Sequence, residues 1–262
     1  MQAVRGSVRS ADGTEIHFDR SGSGPAVVMV DPALGYSGFD HIRGLGSLLA
    51  TEFSVYTYDR RGRGDSGDTQ PYAVEREVED LAALIAEAGG SAFVYGFSSG
   101  ALLALHAAGA GLPINKLALF EPPVRGEGEP PDTVFTAEIA ELVSSGRRAA
   151  AVDRFLTSIG VPPEAIAEME PVRPALEAVA HTLVYDCEVS NATTFELLRS
   201  VQAPTLVLDS QGSSDDLTGG TAAIADALPR GTRRSLTGEW HGVSDEELAP
   251  VLSEFFRGDG RA

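Results

Sequence analysis

Short apolar runs alternate with longer amphipathic segments along most of the chain. Eight runs have the length and the β-forming residues of strands. Those that are apolar throughout, such as 26–30, are typical of strands buried on both faces of a parallel sheet. The pattern predicts strands at 4–8, 14–18, 26–30, 54–58, 91–95, 117–120, 205–208 and 233–236.

Segments with helical periodicity lie between most of these runs. They predict helices at 39–50, 78–88, 100–108, 221–228 and 245–256. Regular alternation of strand and helix is characteristic of α/β proteins. We therefore predict a mostly parallel eight-stranded sheet with helices on both faces.

The pattern changes at residue 122. Prolines and glycines are frequent from 122 to 131, and residues 132–200 read as several short helices without a strand. The simplest interpretation is an α/β core, made of residues 1–121 and 201–262, into which a helical cap is inserted at 122–200.

Composition limits the classes of partner that the protein is expected to bind. The formal net charge of −18 disfavours nucleic acids and anionic membrane surfaces. No apolar segment approaches the ~20 residues that span a bilayer, and residues 1–13 lack the apolar region of a secretory signal. The single cysteine, Cys187, excludes an intrachain disulfide. We expect a cytoplasmic protein; the sequence does not indicate its oligomeric state.

The main candidate for a catalytic motif is Gly96-x-Ser98-x-Gly100. The motif lies between a predicted strand and a predicted helix, where a tight turn would expose the serine hydroxyl. The N–H groups of the helix N-terminus would then face a developing oxyanion. The alternative is a glycine-serine loop that merely leads into a helix. Ser98 is the candidate nucleophile.

A serine nucleophile needs a base, and the chain has five histidines. His241 lies between the last predicted strand and helix, at the carboxyl end of the sheet where sites form. His41 could line the entrance to the site. We expect packing roles for His106, inside a predicted helix, for His17, on an early strand, and for His181, in the cap.

These features resemble the α/β-hydrolase fold superfamily over essentially the whole chain. The resemblance is carried by the strand order, the Gly96–Gly100 motif, the Tyr58-Asp59-Arg60-Arg61-Gly62-Arg63-Gly64 loop and the late His241. It implies a Ser98 nucleophile, a His241 base and an acidic third member, in the chain order serine, acid, histidine. A serine at this turn disfavours the epoxide hydrolases and haloalkane dehalogenases, which use aspartate. No cofactor or metal is expected.

The acidic member has two candidates. The family usually places it after the strand at 205–208, where this chain has Ser213 at the aligned position and Asp215 two residues later. Glu121 directly follows the strand at 117–120, and some family members carry their acid there. We favour Glu121 narrowly. The alternative roles are a contact with the cap for Glu121 and a solvated turn or helix cap for Asp215.

The resemblance also implies an oxyanion hole formed by the backbone N–H groups of Ala33 and Ser99. The segment Asp31-Pro32-Ala33-Leu34-Gly35 departs from the histidine-glycine pair that is common in the family. Pro32 has no N–H, but it precedes the donor. Asp31 either adds a polar group to the site or holds the loop.

The favoured function is a serine hydrolase that cleaves a small, fairly apolar ester, thioester or lactone through an acyl-enzyme on Ser98. A small-molecule substrate is the expected partner. Phe155, Leu156, Leu183 and Tyr185 would shape the pocket or form the core of the cap. Two alternatives remain open: a non-hydrolytic enzyme of the same fold (cyclase, acyl transferase or perhydrolase) and a non-catalytic receptor for a small ligand.

Overall fold

A computed structural model describes residues 3–258 of the chain, without the side chains of residues 215 and 216. Its strands are β1 (Val4–Arg9), β2 (Glu15–Gly22), β3 (Ala26–Val30), β4 (Ser54–Tyr58), β5 (Ala92–Phe97), β6 (Ile114–Phe120), β7 (Thr205–Ser210) and β8 (Gly231–Leu236). They form one sheet in the order β1-β2-β4-β3-β5-β6-β7-β8. The pairs β1–β2 and β2–β4 are antiparallel, and every other pair is parallel. The predicted sheet is confirmed.

Helices cover both faces of this sheet. In chain order they are α1 (Arg43–Leu49), α2 (Val74–Glu87), α3 (Ser99–Gly109), α4 (Thr133–Ser144), α5 (Arg148–Ser158), α6 (Pro163–Glu168), α7 (Arg173–Ala178), α8 (Leu183–Ala192), α9 (Phe195–Ser200), α10 (Asp215–Ala227) and α11 (Asp245–Arg257). Helices α2, α3 and α10 pack on one face, and α1 and α11 pack on the other. No helix within residues 3–258 is both long and apolar enough to cross a membrane.

Three helix starts differ from the sequence prediction. Helix α1 begins at Arg43 rather than near residue 39, because the Asp40 carboxylate accepts hydrogen bonds from the N–H groups of Ile42 and Arg43. Helix α2 starts four residues earlier than predicted. Helix α10 starts six residues earlier, although Gly219 and Gly220 weaken its helical propensity.

Helices α4–α9 lie between β6 and β7 in the chain. Apolar side chains from α4–α8 form a separate cluster, which includes the buried Ile139, Val152, Leu176 and Leu183. Leu34, from the loop after β3, belongs to the same cluster. The inserted helices therefore pack over the carboxyl end of β3.

Two glycines let α3 approach the strands beneath it. A Cβ atom on Gly100 would lie 2.4 Å from the carbonyl oxygen of Val30, and one on Gly96 would lie 2.6 Å from Cα of Ala101. Both contacts involve backbone atoms, which cannot move aside as the end of a side chain can. The spacing of the motif therefore reflects the close packing of α3 against β3 and β5.

We expect Gly100→Ala to lower the free energy of unfolding by about 2–4 kcal/mol, because the added methyl group forces backbone apart. Gly219→Ala is the matched control: no atom lies within 4 Å of its Cβ position, and we expect a gain of up to about 1 kcal/mol. Urea denaturation of both variants measures the difference. Equal effects would contradict the close approach at Gly100.

Candidate active site

Backbone strain is concentrated at one edge of the sheet. Within residues 3–258, four non-glycine residues have a positive φ: Leu34 (63°), Ser98 (53°), Glu121 (43°) and His241 (52°). Ser98 directly follows β5 and Glu121 directly follows β6, whereas Leu34 and His241 lie in the loops after β3 and β8. Such conformations cost about 1–3 kcal/mol each and cluster at functional sites. The strain therefore marks the carboxyl ends of the parallel strands.

Glu121 and His241 are in direct contact. Oε2 of Glu121 lies 2.5 Å from Nδ1 of His241. The other carboxylate oxygen accepts hydrogen bonds from the Ser213 hydroxyl at 2.6 Å and the Ser210 N–H at 2.8 Å. The Ser213 hydroxyl oxygen also accepts a hydrogen bond from the backbone N–H of His241 at 2.9 Å. The serine that stands at the family's usual acid position thus bridges Glu121 and His241.

These contacts keep the carboxylate ionised. Burial raises the pKa of Glu121, but the hydrogen bonds from His241, Ser213 and Ser210 outweigh it and hold the pKa below its ordinary value. An anion at Nδ1 fixes the tautomer of His241 and leaves Nε2 to accept a proton. Asp215, the other candidate acid, is the first residue of α10, and its side chain lies outside the described part of the structure.

Ser98 and His241 line one cavity of about 1120 Å³. The ring of Phe97 lies 5.0 Å from the imidazole of His241, centroid to centroid. Most of the lining is apolar and comes from the α/β core and from the segment between β6 and β7: Leu34, Phe39, Phe97, Leu102, Phe135, Phe155, Leu156, Ile159, Val161, Met169, Leu176 and Trp240. The cavity suits a ligand that is mainly apolar.

Two of the four predicted pocket residues line this cavity, namely Phe155 and Leu156. Leu183 is fully buried in the core of the inserted helices. Tyr185 stacks on Tyr72 with ring centroids 3.8 Å apart. Neither Leu183 nor Tyr185 is among the residues that line the cavity.

The other histidines separate into two groups. His41 lines the cavity and meets Phe39 edge-on at 4.7 Å, and burial lowers its pKa. His106 is 3.0 Å from the Thr193 hydroxyl and His181 is 3.6 Å from Asp68. His17 lies on β2. The last three therefore stand apart from Ser98.

The backbone around Ala33 forms a tight turn. The N–H of Gly35 donates to the carbonyl oxygen of Pro32 at 3.1 Å, with Leu34 at positive φ inside the turn. This hydrogen bond leaves the Ala33 N–H unused by the turn. Ser99 is the first residue of α3, where backbone N–H groups have no acceptor within the helix. Ala33 and Ser99 both line the cavity beside Ser98.

Sequence reasoning missed a buried charge cluster at this cavity. Asp186 of α8 lines the cavity and pairs with Arg60 and Arg63. The arginines are conspicuous in the loop after β4, but their partner lies more than 120 residues away in the chain. Nothing in local sequence could identify it.

Asp31 is fully buried, and neither of its carboxylate oxygens has a hydrogen-bond partner in the described residues. The nearest cation is Arg43, whose Nη1 lies 3.6 Å from Oδ2. Burial raises the pKa of Asp31 to about 7, against the smaller opposing effects of Arg43 and Arg63. Asp31 therefore sits beneath the Pro32–Gly35 turn as a carboxyl group that is neutral in mildly acidic solution.

We expect Asp31→Asn to change how stability depends on pH. Folded wild-type protein holds a proton on Asp31 that the unfolded chain loses near pH 4, so this stabilisation is complete below pH 4 and is lost as the pH rises through 7. The variant should therefore gain about 2–3 kcal/mol of unfolding free energy relative to wild type between pH 5 and pH 8. Urea denaturation at both pH values tests this. Parallel pH profiles would mean that folded Asp31 is ionised throughout.

Among the described residues, no group of three or more His, Cys, Asp and Glu side chains is placed to hold a metal ion. A sequence profile of the alpha/beta hydrolase family matches residues 27–251. No curated protein sequence matches the chain significantly.

Solved structures give close matches. An alpha/beta hydrolase from Sphaerobacter thermophilus DSM 20745 is 47% identical, with a TM-score of 0.88 over 96% of this chain and 100% of that one. The enol-lactonase from Burkholderia xenovorans LB400 has a TM-score of 0.77 at 18% identity, over 97% of this chain and 100% of that one. A thermophilic esterase from Thermogutta terrifontis has a TM-score of 0.74 at 20% identity, over 98% of both chains. Together with the match to the family profile, these similarities show that the chain belongs to the alpha/beta hydrolase family.

Proposed function

We propose that the protein is a serine hydrolase that cleaves an apolar ester, thioester or lactone through an acyl-enzyme on Ser98. The observation that carries the proposal is the 2.5 Å contact between the buried Glu121 and Nδ1 of His241, a residue that lines the same cavity as Ser98. Nucleophilic acyl transfer requires a carboxylate that fixes an imidazole, and a serine that shares a site with that imidazole.

Acylation begins when Ser98 Oγ attacks the substrate carbonyl carbon and its proton passes to Nε2 of His241. The carbonyl oxygen becomes an oxyanion, which accepts hydrogen bonds from the N–H groups of Ala33 and Ser99. The bond to the leaving group then breaks, and the imidazolium returns its proton to the departing oxygen or sulfur. Glu121 remains ionised and stabilises the imidazolium.

Deacylation repeats these steps with water as the nucleophile. His241 takes a proton from water, hydroxide attacks the acyl carbon, and the proton returns to Ser98 Oγ as the acid leaves. No cofactor or metal takes part in the proposed reaction. We also propose that residues 122–200 form a lid over the core of residues 1–121 and 201–262, because these helices supply much of the cavity wall.

The volume and the lining of the cavity indicate the size and polarity of the substrate. Its volume of about 1120 Å³ is above the ~300–1,000 Å³ typical of sites for drug-sized ligands. Phe135 of α4, Phe155 of α5 and Met169 of the turn after α6 supply apolar surface to the cavity. We therefore propose that the acyl group or the alcohol group is bulky and apolar.

We expect Ser98→Ala to abolish ester turnover and labelling by a fluorophosphonate probe, because both need the Oγ nucleophile. Glu121→Gln should lower kcat/KM by about 10²–10⁴-fold, since it removes the anion that stabilises the imidazolium. Asp215→Asn is the matched control and should stay within about threefold of wild type. Hydrolysis of p-nitrophenyl esters provides the measurement.

The outcomes separate the open alternatives. Labelling of Ser98 without turnover would favour a receptor or a non-hydrolytic enzyme. Absence of both labelling and turnover in wild type would remove Ser98 as nucleophile. A large loss in Asp215→Asn with a small one in Glu121→Gln would reassign the acid.

We expect kcat/KM to rise with acyl length in the series p-nitrophenyl acetate, butyrate and octanoate. Each buried methylene contributes about 0.8 kcal/mol, or roughly fourfold, until the apolar cavity is filled. Hydroxide-catalysed hydrolysis of the same esters corrects for their intrinsic reactivity. Highest activity on acetate would contradict a bulky apolar acyl group and would leave the alcohol group as the larger part of the substrate.

A further inference from the structure

One carboxylate connects the inserted helices to the proposed oxyanion hole. Asp186 of α8 has a relative exposure of 2%. Its Oδ1 accepts hydrogen bonds from Nη1 of Arg60 at 2.8 Å and from the Ser99 hydroxyl at 2.9 Å. Its Oδ2 accepts a hydrogen bond from Nη2 of Arg63 at 2.8 Å. Both oxygens are therefore engaged by groups of the α/β core.

Arg63 carries this connection to the turn after β3. Its Nη1 donates to the carbonyl oxygens of Pro32 at 2.6 Å and of Gly35 at 3.1 Å. These two carbonyl groups are the ends of the turn that contains Ala33. The positive φ of Leu34 within the turn needs support from surrounding contacts. Arg63, which is 1% exposed, clamps both ends of the turn at once.

Asp186 also holds the other side of the hole. Asp186 accepts a hydrogen bond from the hydroxyl group of Ser99. The backbone N–H of the same serine is the second proposed donor to the oxyanion. Arg60 completes the cluster: it makes a bidentate pair with Glu77 of α2, with both contacts at 2.8 Å. Its Nη1 also lies 3.4 Å from the carbonyl oxygen of Asp31.

The balance of charge in this cluster explains why its side chains keep one arrangement. Two guanidinium groups and two carboxylates, from Arg60, Arg63, Glu77 and Asp186, balance within a region that is almost inaccessible to water. Removing Asp186 would leave a buried positive charge unpaired, which is strongly unfavourable. Arg60 and Arg63 lower the pKa of Asp186 against the effect of burial, so the carboxylate is ionised.

We infer that Asp186 is a positioning residue that sets the distance between the two amide donors of the oxyanion hole. It acts on Ala33 through Arg63 and on Ser99 directly. The inserted helices thereby help to build the catalytic centre as well as cover it. This inference rests on the proposed hydrolase function, in which those two amides bind the oxyanion.

Asp186→Asn tests the inference. Asparagine keeps the size of the side chain and an acceptor for Ser99, but it removes the negative charge opposite Arg63. We expect kcat and kcat/KM for an apolar p-nitrophenyl ester to fall by about 10–100-fold with KM within about threefold, because only transition-state binding is weakened. Arg63→Met should give a similar loss. The double variant should be no worse than the poorer single variant, since both changes act through one clamp.

Asp80→Asn is the matched control. Asp80 is equally buried and pairs with Arg61 of the same loop at 2.8 Å, but neither residue contacts the Pro32–Gly35 turn or Ser99. We expect both aspartate variants to lower Tm by several degrees, with kcat of Asp80→Asn within about threefold of wild type. Assays are run well below each Tm.

The inference would be overturned if Asp186→Asn kept wild-type kcat, lost no more kcat than Asp80→Asn, or changed KM alone. In those cases the wild type still turns over and labels at Ser98, so the proposed function stands. If the wild type shows neither turnover nor labelling, the proposed function fails and the inference fails with it.

Discussion

The site depends on strained backbone held between neighbouring strands. Ser98 and Glu121 leave the extended conformation directly after β5 and β6 and have a positive φ. Each is tied to the next strand: the Ser98 N–H donates to the carbonyl oxygen of Phe120 and the Glu121 N–H to that of Leu208, both at 2.9 Å. The parallel sheet thus stabilises unfavourable conformations at adjacent positions, as it must if they are to persist. Strain and sheet register together place Ser98 and Glu121 at the same end of two neighbouring strands.

Buried ion pairs determine how the segments around the loop after β4 pack at the carboxyl ends of the strands. The protein carries a net charge of −18, yet Arg60, Arg61 and Arg63 are each at most 1% exposed. They leave one loop in different directions and pair with carboxylates of the first hairpin, α2 and α8. Buried ion pairs add little net stability compared with apolar packing, but an unpaired partner is very costly. The loop therefore allows few alternative arrangements of the segments around it, which favours a single geometry at the site.

Sequence alone predicted the sheet because its strands are short apolar runs that differ sharply from their surroundings. Helix starts were less predictable, since the Asp40 hydrogen bonds at α1 and the glycines inside α10 act against simple periodicity. Ser98 and His241 could be proposed from a local motif and from chain order. The contact of Glu121 with His241 adds support for Glu121 that the sequence lacks, because Glu121 and Asp215 both follow strands of the same sheet. The Asp186 cluster depends on contacts between distant segments, which no local pattern encodes. The same holds for the burial of Asp31, whose carboxylate has no hydrogen-bond partner among the described residues.

The inserted helices are held to the rest of the protein in two ways: α8 by buried ion pairs, and α4 and α5 mainly by apolar packing. Helix α8 carries Asp186, so moving it would separate two buried arginines from their counter-charge. Helices α4 and α5 supply Phe135 and Phe155 to the cavity. Among the described contacts, α4 is joined to α8 by the hydrogen bond from Asn191 to the Thr136 hydroxyl and by apolar packing, not by a buried ion pair. Apolar surfaces tolerate substitution and small shifts better than buried charges do. Changes in α4 and α5 can therefore reshape the cavity, while α8 keeps the Pro32–Gly35 turn and the start of α3 in place.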